Sequence, residues 1–234
     1  MNRLLSSILL LLIFTSCHSI SGSGKIVSQN MQLSGFNGIQ TSGSIDIEIK
    51  PGSNESVVIE ADDNVQPYIA ATVQNGLLDI HYKPNMSFMN THAKVLVTAT
   101  TLNKLIVSGS GDIISYGTLT EANKVEIIVE GSGSIKAGVD APSVITNIDG
   151  SGSIDLNGRT RNFEGTISGS GDLKCHNLLS ENTTLTVEGS GKAHVYASVS
   201  LTATISGSGD IFYSGHPARP QLIKHGSGSF KEEN

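Results

Sequence analysis

Three aspartates, Asp112, Asp172 and Asp210, each follow a Gly-Ser-Gly triplet. Carboxylates at a repeated spacing beside glycines invite a calcium reading, since Ca²⁺ needs several oxygens converging on one ion. The matching positions in the other copies are Ser134, Ser153, Lys192 and Ser229. A lysine in that column repels a cation, and the Gly-Gly-x-Gly-x-Asp order of calcium-binding nonapeptides is missing. His81, His92, His176, His194, His216 and His225 form no close pair at metal-ligand spacing, so they read as surface or edge histidines. Glycosidic cleavage needs paired carboxylates, or a carboxylate with a cation, at one place on a groove. Asp155, Arg159, Arg161 and Glu164 come nearest to that and read more simply as a polar turn between strands. None of the Gly-rich segments opens a helical pattern or carries the Lys-Ser/Thr of a phosphate loop. No catalytic residue, metal or cofactor is therefore expected.

The elements that carry these residues are set by the triplet itself. Gly-Ser-Gly begins at Gly109, Gly131, Gly150, Gly169, Gly189, Gly207 and Gly226, at intervals (by subtraction) of 22, 19, 19, 20, 18 and 19 residues. A fixed period near twenty marks a repeat architecture. Every second residue around one copy gives Val144, Thr146, Ile148, Gly150, Gly152, Ile154 and Leu156. This alternation is strand periodicity, which puts the apolar residues and both glycines on one inward face and Ser151 outward. Inward glycines suit a wall that bends hard or another backbone that approaches closely. Cys175 shares the inward parity and reads as a buried, unreactive thiol. One coil cannot bury its own apolar edge, whereas stacked coils share a continuous core. The fold expected is all-β, a parallel β-helix (solenoid) with coils of about 19 residues.

The chain of 234 residues carries a formal net charge of −6, which argues against nucleic-acid binding. Two cysteines, Cys17 and Cys175, make no disulfide framework. Residues 1–17 read as an export signal, with Arg3 followed by an apolar run from Leu4 to Phe14 that is too short to span a membrane. Phe14-Thr15-Ser16-Cys17 resembles a bacterial lipobox, which would make Cys17 the lipidated N-terminus of the mature protein. Residues 18–30 read as a flexible tether rich in Ser and Gly.

Residues 31–105 are expected to form irregular N-terminal β coils that cap the stack, and residues 106–234 the regular repeat. Thr41 takes the place of a first glycine, with Gly43 as the second. The 66 residues from Gly43 to Gly109 are expected to hold about three wider coils. Asn75-Gly76 predicts a hairpin turn. Lys224 falls at an inward parity in the last copy, where a charged end would blunt an exposed strand edge.

With the lipobox, the Phe36-Asn37-Gly38-Ile39 opening, the Asn75-Gly76 hairpin and the serial Ser-Gly-Ser-Gly-Asp-Ile copies in view, nearly all of the mature chain resembles the bacterial putative autotransporter adhesin, head GIN domain family. The resemblance implies a right-handed β-helix in a cell envelope of Bacteroidota type. It brings no catalytic residues with it.

Two outward columns remain. Ser108, Glu130, Asp149, Ser168, Glu188, Ser206 and His225 form one, and Ser110, Ser132, Ser151, Ser170, Ser190, Ser208 and Ser227 the other. Stacking turns them into ladders of hydroxyls and carboxylates. They serve as a solubilising face or as an extended contact surface for glycan or for envelope or host protein. The expected function is a non-enzymatic cell-envelope lipoprotein, adhesin-like or scaffolding, held on the outer membrane of a Gram-negative bacterium by its N-terminal lipid. The competing expectation is a carbohydrate-active β-helix enzyme, a lyase or hydrolase.

Overall fold

The computed structural model describes residues 19–233. Strands pair in parallel to build a β-solenoid with two main walls. The first wall runs through Gly38–Gly43, Lys104–Gly109, Lys124–Gly131, the later halves of Ser134–Gly150, Ser153–Gly169 and Asp172–Gly189, then Ser200–Gly207 and Gln221–Gly226. The second runs through Asp46–Pro51, Asp112–Thr120, the opening halves of the same three long strands, then Lys192–Tyr196, Asp210–Ser214 and Ser229–Glu232. The Gly-Ser-Gly corner joins the walls at one edge, and a short third run, residues 157–162 in one coil, closes the other. The core between them is a thin file of aliphatic side chains, Val144, Ile148, Ile154 and Leu156 in that coil.

Each corner shows why two glycines are needed, for different reasons. The first adopts φ between 118° and 142° in all seven copies, a left-handed region that favours glycine. A Cβ on Gly150 would lie 2.5 Å from the carbonyl oxygen of Gly131 in the preceding coil. That carbonyl accepts the N–H groups of both Ser151 and Gly152, each at 2.9 Å. The first glycine thus faces along the stack, and the expectation that both glycines point into the core holds only for the second. Gly152 is buried, and a Cβ there would meet Gly133 O at 2.4 Å and Val129 Cγ1 at 2.5 Å.

The N-terminal region departs from the expected wider coils. Gly43 pairs directly with Gly109, so the 66 residues between them make one step of the stack. The register also matches Gly43 to the first glycine, with Ile45 in place of the second, two residues on from the alignment expected from the sequence. Within this step Leu77–Tyr82 and Ala93–Ala99 add one more strand to each wall, parallel to Gly38–Gly43 and Asp46–Pro51. Antiparallel strands then cover them. Ile69–Gln74 pairs with Leu77–Tyr82 through the Asn75-Gly76 turn, where both residues have positive φ (52° and 78°). Ser56–Asp62 pairs with Ala93–Ala99, and Ile26–Met31 pairs with Ser56–Asp62. The reversed strands end the parallel ladder with a cap.

The expected tether is also corrected. Ser19–Ser21 is a strand paired with Ser87–Met89, and Ile26–Met31 belongs to the cap. The backbone polar groups of this stretch find partners in strands far along the chain, which Ser/Gly composition alone does not reveal. The export signal and Cys17 lie outside the described residues.

Candidate functional site

Two of the three aspartates that suggested calcium have a structural task. Asp112 Oδ1 accepts the N–H and the hydroxyl of Ser134 in the next coil, at 2.9 and 2.7 Å. Asp210 Oδ1 does the same for Ser229, at 3.0 and 2.6 Å. A carboxylate paired with a serine one coil on closes the gap that the corner opens in the ladder. No group of three or more His, Cys, Asp or Glu converges on a metal-sized site among the described residues.

The polar cluster near Arg159 disperses into separate ion pairs. Arg159 donates Nη2–H and Nε–H to Asp140 Oδ2, at 2.7 and 3.0 Å, and this guanidinium holds the Asp140 carboxyl below its ordinary range. Asp155 pairs with Lys136 at 3.1 Å, and Arg161 approaches Glu181 at 3.9 Å. Asp155, Arg159, Arg161 and Glu164 therefore do not meet around one reacting centre. Cys175 is fully buried, and burial pushes its thiol pKa up, away from the thiolate that nucleophilic chemistry needs.

The outward columns form as the sequence predicts. Ser108, Glu130, Asp149, Ser168, Glu188, Ser206 and His225 stand opposite one another in successive coils, and Ser42 extends the column by one. Seven steps at the inter-strand spacing make this column about 34 Å long. Ser110, Ser132, Ser151, Ser170, Ser190 and Ser208 are all exposed at the corners beside it, as are Glu130, Asp149 and Glu188. Few of these side chains are spent on one another. Ser108 Oγ donates to Glu130 at 3.0 Å, and the Ser208 and Ser227 hydroxyls meet at 3.0 Å. The ladder presents hydroxyl donors and carboxylate acceptors at a constant spacing, suited to a polymer that makes many weak contacts in register.

Two features escape sequence reasoning. A groove of about 540 Å³ lies along the third run, with Pro142, Arg159, Arg161, Leu179 and Tyr196 among its lining residues. Leu179 is 54% exposed there. The coil ending at Gly189 has 20 residues and the next has 18, an unevenness that by itself locates no groove. The second feature is a row on the second wall. His194 stacks on Phe212 with ring centroids 4.4 Å apart, and His176 meets His194 edge-on at 6.3 Å. These histidines are far apart in sequence, and only the stacking of coils brings them together.

Comparison with known proteins follows the same lines. No curated protein matches the sequence. Among solved structures, the chain is similar to a putative adhesin from Bacteroides fragilis, with a TM-score of 0.85 at 23% identity, over 92% of this chain and 100% of that one. A putative adhesin from Parabacteroides distasonis gives a TM-score of 0.72 at 26% identity, over 92% of this chain and 100% of its own. Another P. distasonis structure, named a putative lipid binding protein, gives 0.76 at 24% identity with the same coverage. The family model described as putative auto-transporter adhesin, head GIN domain, matches residues 35–217, which is most of the solenoid and its cap. By that match the chain belongs to the putative auto-transporter adhesin, head GIN domain family.

Proposed function

We propose that this protein is a non-enzymatic, adhesin-like binding module of the cell envelope, carried on the outer membrane by lipid on Cys17, that contacts glycan or protein through its outward ladder. The observation that carries the reading is the register of Ser42 through His225, eight polar side chains in one unbroken column, with Ser42, Ser108 and Ser168 half-buried and the other five exposed. A face used only for solubility needs polar residues but not their alignment. Family membership and the adhesin names of similar structures point to the same class. Asp155, paired with Lys136, and Glu164 do not line the groove that holds Arg159 and Arg161, so the cluster that suggested hydrolase or lyase chemistry does not assemble there.

The test is attachment of the purified protein to host matrix, mucin and glycan arrays. Ser132, Ser151, Ser170 and Ser190 are changed together to Lys in one variant, and Arg161 alone to Ala in another. Loss of attachment in the first variant, with an unchanged melting temperature, supports the ladder. Loss only in the second moves the contact surface to the groove. Binding to nothing tested leaves the ladder as a solubilising face and sinks the proposal. The anchor is tested separately by Cys17→Ala, which is expected to release the protein from the membrane fraction or leave it unprocessed.

A further inference from the structure

The segment next to Cys17 is clamped to the cap at several points. Gly22 N–H donates to Met89 C=O at 3.3 Å, beside the ladder that pairs Ser19–Ser21 with Ser87–Met89. Asp62, only 2% exposed, joins the two segments. Its Oδ1 accepts the N–H of Gly24 and its Oδ2 that of His92, both at 2.7 Å. Asn64 closes a second ring, accepting the N–H of Ser23 at 3.0 Å and donating to Ser21 C=O at 2.8 Å. Lys25 pairs with Asp63 at 3.2 Å. The fit leaves no slack, since a Cβ on Gly22 would lie 2.5 Å from Asp62 Oδ2 and 2.7 Å from Asn90 O. A buried carboxylate stripped of its two N–H donors is costly, so residues 19–25 and the loop around Met89 hold or release together.

This clamp fixes where an anchor at Cys17 can go. Ser19 is the second residue after Cys17, a reach of about 7 Å at most. The surface at that place differs from the polar ladders. Met89 is 57% exposed beside the serines of the two strands, with Ile20 and Phe88 partly buried. A flexible thioether suits the boundary between headgroups and acyl chains.

We infer that the surface formed by Ser19–Ser21 and Ser87–Met89 docks on the phospholipid bilayer, so that the molecule stands on its cap with the far coils held away from the membrane. The inference rests on the lipid anchor proposed above. It gives the short stretch after Cys17 a role opposite to that of a tether, because it sets the orientation of the ladder relative to the membrane.

The chain contains no tryptophan, so a single introduced one is a unique reporter. Met89→Trp, Ser151→Trp and Ile223→Trp are made in the full-length lipoprotein and reconstituted into phosphatidylcholine–phosphatidylglycerol vesicles with brominated acyl chains. Position 89 is expected to shift to the blue and to lose at least half its emission, while positions 151 and 223 stay unquenched. Asn64→Ala, which loosens an exposed part of the clamp, is expected to weaken quenching at position 89 while the protein still sediments with vesicles. Sedimentation with no quenching at position 89 overturns the inference and leaves the anchor intact. Quenching at position 151 or 223 as well overturns it too, because the molecule then lies on its side. Absence of lipid on Cys17 by mass spectrometry of the mature protein removes the anchor and the inference together.

Discussion

The Asp46 carboxylate accepts the backbone N–H of Asp112 at 3.0 Å, across 66 residues of sequence. Asp112 in turn accepts from Ser134, 22 residues on. The same hydrogen bond, between a carboxylate and the next coil's backbone, joins the cap to the stack and one regular coil to another. The bond records coil order, and sequence distance has little bearing on it. The cap is therefore continuous with the solenoid, and its hydrogen bonding is expected to be lost with that of the stack.

Removing one such bond tests this. Asp112→Ala deprives the N–H and hydroxyl of Ser134 of their acceptor. Both groups are partly buried, so a loss of about 1–2 kcal/mol is expected by chemical denaturation. An unchanged midpoint would mean that water replaces the carboxylate at no cost.

The corner glycines provide a sharper test. Gly152→Val places a side chain against Gly133 O and Val129, where a Cβ alone already falls within 2.5 Å of both. Overpacking of this kind costs about 1–3 kcal/mol or more. Ser151 is exposed, and Ser151→Val is expected to stay within about 0.5 kcal/mol. Thermal melting of the two variants compares them directly, and equal losses would contradict the assignment of faces.

Glu130 and Asp149 stand directly opposite one another in adjacent coils. Like charges so placed destabilise a sheet by about 0.2–1 kcal/mol. Asp149→Asn is therefore expected to leave stability unchanged or raise it slightly, most visibly at low salt. If the variant also loses attachment, the column is being kept at some cost to stability for the sake of binding. A clear drop in melting temperature would show that Asp149 has a structural partner.

Burial of Cys175 makes stability depend on pH in a definite direction. The folded thiol pKa lies above its ordinary value of 9.0, so above that pH the unfolded chain releases a proton that the folded protein retains. Stability from this group is intact below the unfolded value and declines as pH rises past it, by at most about 1.4 kcal/mol per pH unit. Cys175→Ala is expected to flatten the alkaline limb of the stability curve relative to wild type. A thiol reagent should modify Cys175 only on unfolding, and rapid labelling of the native protein would refute its burial.

The repeat and the outward columns were legible in the sequence, while the division of each coil into two main walls was not. Each coil solves the same local problem with the same residues, alternation for the strands and two glycines for the corner. A solenoid then follows because neighbouring coils are also neighbours in sequence. What remained hidden was the pairing that this regularity does not encode. Ser56–Asp62 reads as a strand from its residues, but nothing local says that it lies antiparallel between Ile26–Met31 and Ala93–Ala99. Because those partners are remote, the 66-residue step resembled several coils and residues 18–30 resembled a tether. The groove beside Leu179 and the meeting of His194 with Phe212 arise in the same way, from contacts between coils. Composition showed Asp62 to be acidic. Only the tertiary structure buries it between Gly24 and His92, where two N–H groups must be held together and a carboxylate is the side chain that can accept from both.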